Sequence, residues 1–275
     1  MLNFEFCEVP EILKDCVDPR WASQTIYNHF ENPLDFMDAV VAMKDHKNAQ
    51  HSDTKEYISE GMQKYQNISQ KDTTYSRLFN DVATKVRDKL LTRGFTTAML
   101  YSTVEFTTQN TGVMCKQRAM LGRRDCYYKN PMVDKGKSLF HDIYINLSYS
   151  SWISDRVIEK NSYALYALTK ELSRVIPIRV IVVNHVGTDK PTCYSYVLKK
   201  FGQPIKPDEF LFFTSDSKRT FGWATYGILN DGHSRDSTVG EPTNTVSIAN
   251  FNLDRTIDTI FEKIKTEAPG LFKLA

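Results

Sequence analysis

The chain has 275 residues, of which 41% are hydrophobic and 25% charged, with a formal net charge of +2. That length and balance suit one large core or two modest ones without covalent staples. They exclude a disordered, collagen-like or coiled-coil chain.

Five cysteines (Cys7, Cys16, Cys115, Cys126 and Cys193) are odd in number, scattered and free of any CxxC pair. Such usage points to free thiols in a reducing compartment. The opening Met1-Leu-Asn-Phe-Glu-Phe-Cys-Glu carries acid where a signal peptide carries base, and it has no apolar run behind it. No stretch reaches the roughly 18 apolar residues that a membrane span needs. The expected location is the cytoplasm, away from membranes.

Asn32 before Pro33 marks a helix start, a capping amide followed by proline at the first helical position. Leu34, Met37, Val40 and Val41 continue it at helical spacing to about Lys44. The polar run from Lys44 to Asp53 reads as a loop, and its His46 and His51 have no acid or thiol at ligand spacing. Helices are expected from Asp53 to about Gln66 and from Asp72 to Arg93, the second stopped by Gly94. Residues 96–106 and 112–121, rich in β-formers, predict a hairpin with a longer loop.

The second half alternates. His141–Leu147 and Ile178–Asn184 are apolar runs suited to strands covered on both faces. Between them a helix from about Ser154 to Arg174 carries an apolar side, which makes a βαβ unit. Thr192–Lys199 predicts an edge strand, Glu209–Phe213 a short inner strand and Thr245–Asn250 a further one. Asn252 caps a last helix, ended by Pro269-Gly270. The fold class is therefore α/β, a three-layer, mostly parallel sheet preceded by a helical region and a β-hairpin. Residues 1–95 form the helical region and 96–275 the hairpin and core. With no Pro/Gly/Ser-rich linker between them, one continuous globule is expected.

Ligands of open parallel sheets gather at the carboxyl ends of strands, where the first core strand here runs into Asn146-Leu-Ser-Tyr-Ser-Ser151. With Asn146, Ser148 and Ser150 in the places of its Asp-x-Ser-x-Ser motif, the stretch from about Lys137 to Ala275 resembles the von Willebrand factor A family. The resemblance implies a metal-ion-dependent adhesion site, completed by a threonine (Thr220 or Thr225) and an aspartate (Asp216 or Asp231). Asn146 replaces the family aspartate, and an amide is a weaker, uncharged ligand for a hard cation. The turn therefore reads first as a helix cap without metal, and any ion held would be Mg²⁺ at Ser148 and Ser150. More loosely, the helical front half and βαβ core resemble phage-encoded proteins, among them early transcription proteins of N4-like phages that bind single-stranded DNA.

Thr214–Trp223, read as a loop, mixes hydroxyls, cations and an aromatic. Beside Asn146–Ser151 it would form a polar rim that a partner protein grips, with Thr220 and Trp223 as contacts. Asn184 and His185 end an inner strand at the same edge and read as structural. The most basic segment holds Lys116, Arg118, Arg123, Arg124, Lys129, Lys135 and Lys137 against Asp125 and Asp134, a local charge of +5. Tyr127 and Tyr128 interleave with these cations, so that charge follows a phosphate backbone while rings stack on bases. Asp231, His233 and Asp236 gather in one loop and offer a hydrolase reading, without a second base at a telling spacing.

No dinucleotide, P-loop, zincin or nucleophile-elbow motif is present. The expected function is a non-enzymatic binding or recruitment protein without a cofactor. Its core would hold a protein partner, and its basic hairpin single-stranded nucleic acid. The alternatives are a Mg²⁺-dependent adaptor working with an ATPase, as the resemblance implies, and a hydrolase.

Overall fold

The computed structural model describes residues 2, 5, 7–23, 25–50, 52–68, 74–92, 105–107, 113–114, 119–120, 127–129, 141–148, 153–174, 177–186, 191–204, 206–229 and 244–267. A 3-10 turn (Glu11–Leu13) and a four-residue helix α1 (Pro19–Ala22) lead into strand β1 (Ile26–Phe30). Helices α2 (Pro33–Ala42), α3 (Ser52–Gln66) and α4 (Thr74–Thr92) follow. Short strands β2 (Glu105–Thr107), β3 (Val113–Met114) and β4 (Tyr127–Lys129) form a small sheet of their own. The core unit is β5 (His141–Asn146), α5 (Asp155–Leu172), β6 (Ile178–Val186) and β7 (Thr192–Lys199). A helical run then comprises α6 (Pro207–Leu211), two π-type turns (Phe212–Asp216 and Lys218–Gly222) and α7 (Trp223–Leu229). Strand β8 (Val246–Ser247) and helix α8 (Leu253–Glu267) complete the described chain.

The main sheet has the order β1-β7-β6-β5-β8. Three of its four pairings are parallel and β6–β7 is antiparallel. This is the α/β, mostly parallel architecture expected. Strand alternation sorts the side chains to two faces. Ile143, Ile145, Val180, Val182, Tyr194 and Tyr196 join the larger core, built with α2 to α8. Tyr144, Ile181, Val183, Cys193 and Val197 face a thinner layer made of Leu13, Cys16 and Val17.

Both capping predictions hold in detail. The Asp35 amide donates to Asn32 Oδ1 at 2.9 Å, and the Arg255 amide donates to Asn252 Oδ1 at 3.0 Å. No described helix is long and apolar enough to cross a membrane.

Four expectations need correction. Ile26–Phe30 is a strand of the core sheet, so the front half is not wholly helical. Its five residues, Ile-Tyr-Asn-His-Phe, mix polar and apolar types and leave no alternation to read. Thr192–Lys199 is an interior strand between β1 and β6, not an edge. Residues 96–106 and 112–121 do not pair as a hairpin where they are described, because β2 and β3 each pair with β4 instead.

Glu209–Phe213 and Thr214–Trp223 are helical, not strand and loop. Pro207 at the first position and Asp208 and Glu209 in the first turn are proper helix-start signals, masked by the aromatic run behind them. The hydroxyls that read as a loop fold back onto the helix instead. Thr214 donates to the Phe210 carbonyl at 2.7 Å, Ser215 to Leu211 at 2.6 Å and Ser217 to Phe213 at 2.9 Å. Such back-bonding lets polar side chains sit buried in a helix.

Candidate functional site

The turn after β5 is locally satisfied. Asn146 is buried, and its Oδ1 accepts from the Ser148 amide at 2.7 Å. The Ser148 hydroxyl in turn accepts from the His185 amide at 2.7 Å, which ties the turn to the end of β6. These are the bonds of a cap-like turn. Ser150 lies outside the described residues.

The helical run reaches this turn from above. Arg219 donates to the Ile153 carbonyl at 2.7 Å and pairs with Asp155 at 2.5 Å, in the first turn of α5. Arg219 thus touches the start of α5, which follows the turn. Thr220 is fully buried, however, and its hydroxyl donates to the Asp216 carbonyl at 3.1 Å. Thr225 does the same to Phe221 at 2.7 Å. Asp216 faces Lys64 at 3.8 Å. Trp223 is half-buried and meets Tyr226 edge-on, ring centroids 5.8 Å apart. Among the described residues, no three His, Cys, Asp or Glu side chains are grouped to hold a metal ion.

Below the π-type turns, a polar row crosses the sheet. Asn28, Tyr194 and Asn184 are register partners and are all buried. Asn184 Oδ1 and both ring nitrogens of His185 are buried without a hydrogen-bond partner. Burial holds His185 down to about 4 and Lys218 to about 7, with Arg219 adding to the effect on Lys218. Gly222 belongs here because an added Cβ would sit 2.6 Å from the Tyr194 hydroxyl.

An opening lies on the other side of Asn146. A cleft of about 740 Å³ runs along β5 from His141 to Asn146, between α8 and the segment at Asp15. The cause is a short last strand. β8 pairs only with Ile145 and Asn146. Two residues before it, Asn244 adopts φ 54°, a left-handed conformation that asparagine tolerates. The Asn244 amide fixes that conformation by donating to the Asp15 carbonyl at 3.0 Å. Odd-numbered residues of β5 turn their amides to β6, as His141 to Pro177 and Leu147 to Val183 show. The Asp142 N–H and C=O and the Tyr144 N–H therefore face the cleft, beyond the reach of β8.

The α8 wall supplies Asn252, Arg255, Thr256, Thr259 and Lys263. His141 forms part of the floor, is 5% exposed, and has an Nδ1 without a partner. Burial, with Lys263 adding to it, pushes His141 down to about 4, so it is neutral near pH 7. Asp142 is matched by Arg179 through two bonds, at 2.9 and 2.6 Å. Sequence reasoning named Asn146 but missed this wall, whose spacing of three and four reads as a solvated helix face.

Of the predicted nucleic-acid residues, Tyr127 is half-buried on β4. Tyr128 and Lys129 follow it on that strand, between β2 and β3. Lys116, Arg118, Arg123 and Arg124 lie outside the described residues, as do Asp231, His233 and Asp236. No protein-family model, curated protein or solved structure matches this chain.

Proposed function

We propose that the chain is a non-enzymatic recruitment protein that holds another protein in the cleft between β5 and α8. One observation carries this reading: a cleft of about 740 Å³ whose floor is strand backbone left without a ladder partner among the described strands. Unpaired edges invite another chain and are covered or blunted unless they are used. The hydroxyls and amides of Thr256, Thr259 and Asn252 suit main-chain contact more than chemistry. A photo-crosslinking side chain at Thr256 should capture one protein in the native cell, whereas one at exposed Asp88 should not. Adding Ser247→Trp, which fills the cleft, should abolish the adduct. An adduct equal at both positions ends this reading.

The basic segment supports a second activity, binding of single-stranded nucleic acid. It is favoured by the central place of β4, which sets Tyr127, Tyr128 and Lys129 in the middle of the small sheet. Anisotropy with labelled single-stranded and duplex DNA should show preference for the single strand and a steep fall with salt. The double variant Arg123→Ala/Arg124→Ala should weaken binding. A flat salt response removes this activity.

A further inference from the structure

The cleft also carries information about what fills it. We propose that it is a strand-addition site for an acidic segment. In it an extended stretch of the partner pairs with the backbone of Asp142 and Tyr144 and turns carboxylates, four residues apart, towards Arg255 and Lys263. This rests on the recruitment reading above and specifies the chemistry of its partner.

The backbone argument is one of direction. The Asp142 N–H and C=O and the Tyr144 N–H point away from β6, into the cleft, and β8 pairs with neither residue. A strand laid there continues the ladder where β8 leaves it, and main-chain bonds then supply affinity independent of sequence. Alternation gives that strand two different faces. One looks at α8, the other at Asp15.

The charges on the two sides differ. The α8 side holds exposed Arg255 and Lys263 and the buried, unpartnered Nδ1 of His141. On the other side Asp142 is matched by Arg179, which leaves Asp15. Acid is therefore favoured on the α8 face of the incoming strand and disfavoured on the opposite one. The spacing follows from element geometry. Eight helical residues from Arg255 to Lys263 span about 12 Å, and four strand residues span about 13 Å. Glutamates at positions i and i+4 share one face and match the two cations. A carboxylate beside Lys263 also brings an acceptor to His141 Nδ1, which otherwise lies buried without one.

The test uses the full chain and a labelled nine-residue peptide of threonine and valine, capped at both ends, with glutamates at positions 3 and 7. Peptides with lysine or glutamine at those positions are the comparison. At low salt the glutamate peptide should bind at least tenfold more tightly than the lysine peptide. The double variant Arg255→Glu/Lys263→Glu, on two exposed side chains, should reverse that order. Bound peptide should slow amide exchange at Asp142 and Tyr144. Equal binding of all three peptides with those amides protected overturns the acidic preference and leaves recruitment standing. Protection of neither amide, with the Thr256 adduct still formed, overturns strand addition alone. Loss of the adduct as well removes the recruitment reading beneath it.

Discussion

The two faces of the main sheet are built to different depths. On one, Phe36 stacks on Tyr194 and Tyr196 at 4.8 and 5.0 Å, and Phe210, Phe212, Phe213 and Phe221 fill the space to the helices. On the other, a 3-10 turn and its neighbours lay Leu13, Cys16 and Val17 over the strands. There Tyr144 reaches through to donate to the Ile12 carbonyl at 2.9 Å. Among the described residues, the thick face is built of helices, whereas the thin one is a strap held by a few apolar side chains. Packing on the first is tight enough to require glycine. A Cβ at Gly61 would meet the Phe221 ring at 2.9 Å.

The comparison breaks most sharply at Phe221, which is fully buried. Phe221→Ala should cost about 3–5 kcal/mol, read as a lower urea midpoint at unchanged slope. A loss below about 1 kcal/mol would mean that the thick face is not the main core.

Acid should act next. His141 is held at about 4 against 6.5 in the unfolded chain, so between these values the unfolded chain takes up a proton that the fold refuses. Stability is full above pH 6.5 and falls as pH drops towards 4, by up to about 3 kcal/mol from this residue. His141→Asn should reduce the fall of the urea midpoint across that window by about half, the rest coming from His185, which burial also holds at about 4, and an undiminished fall would contradict the assignment.

Alkali tests the thin face. Burial pushes Cys16 up to about 12, so its contribution is full below the unfolded thiol value and is lost as pH rises through the folded one. Buried Lys218 has the opposite sign and adds stability from about 7 up to its unfolded value of 10.5. Above 10.5 the lysine has no further effect, while burial also raises Cys193, Tyr27 and Tyr144 in the same layer, so Cys16→Ala should reduce the alkaline loss without abolishing it. That substitution at neutral pH should cost only about 1 kcal/mol.

The same contrast explains what could be read from sequence. The βαβ unit was legible because β5, α5 and β6 lie between two buried layers, which forces continuous apolar runs and a helical stripe. The Asn32 and Asn252 caps were legible because they act locally. β1 was not, since its pairing with β7 is set by tertiary contact and not by its own pattern. The helical run at 207–229 was misread because back-bonded hydroxyls carry the composition of a loop. At the site, Asn146 stood out through its motif. His141, Arg255 and Lys263 did not, because their significance depends on an edge that β8 fails to cover.

The order of strands also bears on how the chain is made. β1 pairs with β7 in the register Ile26 with Thr192, so the strand made first waits for one made far later. At a synthesis rate of about 5–20 residues per second the delay is on the order of 10–30 s. During that interval Ile26 and Tyr27 have no β7 to join, and the newborn segment around them must be kept from sticking to its neighbours.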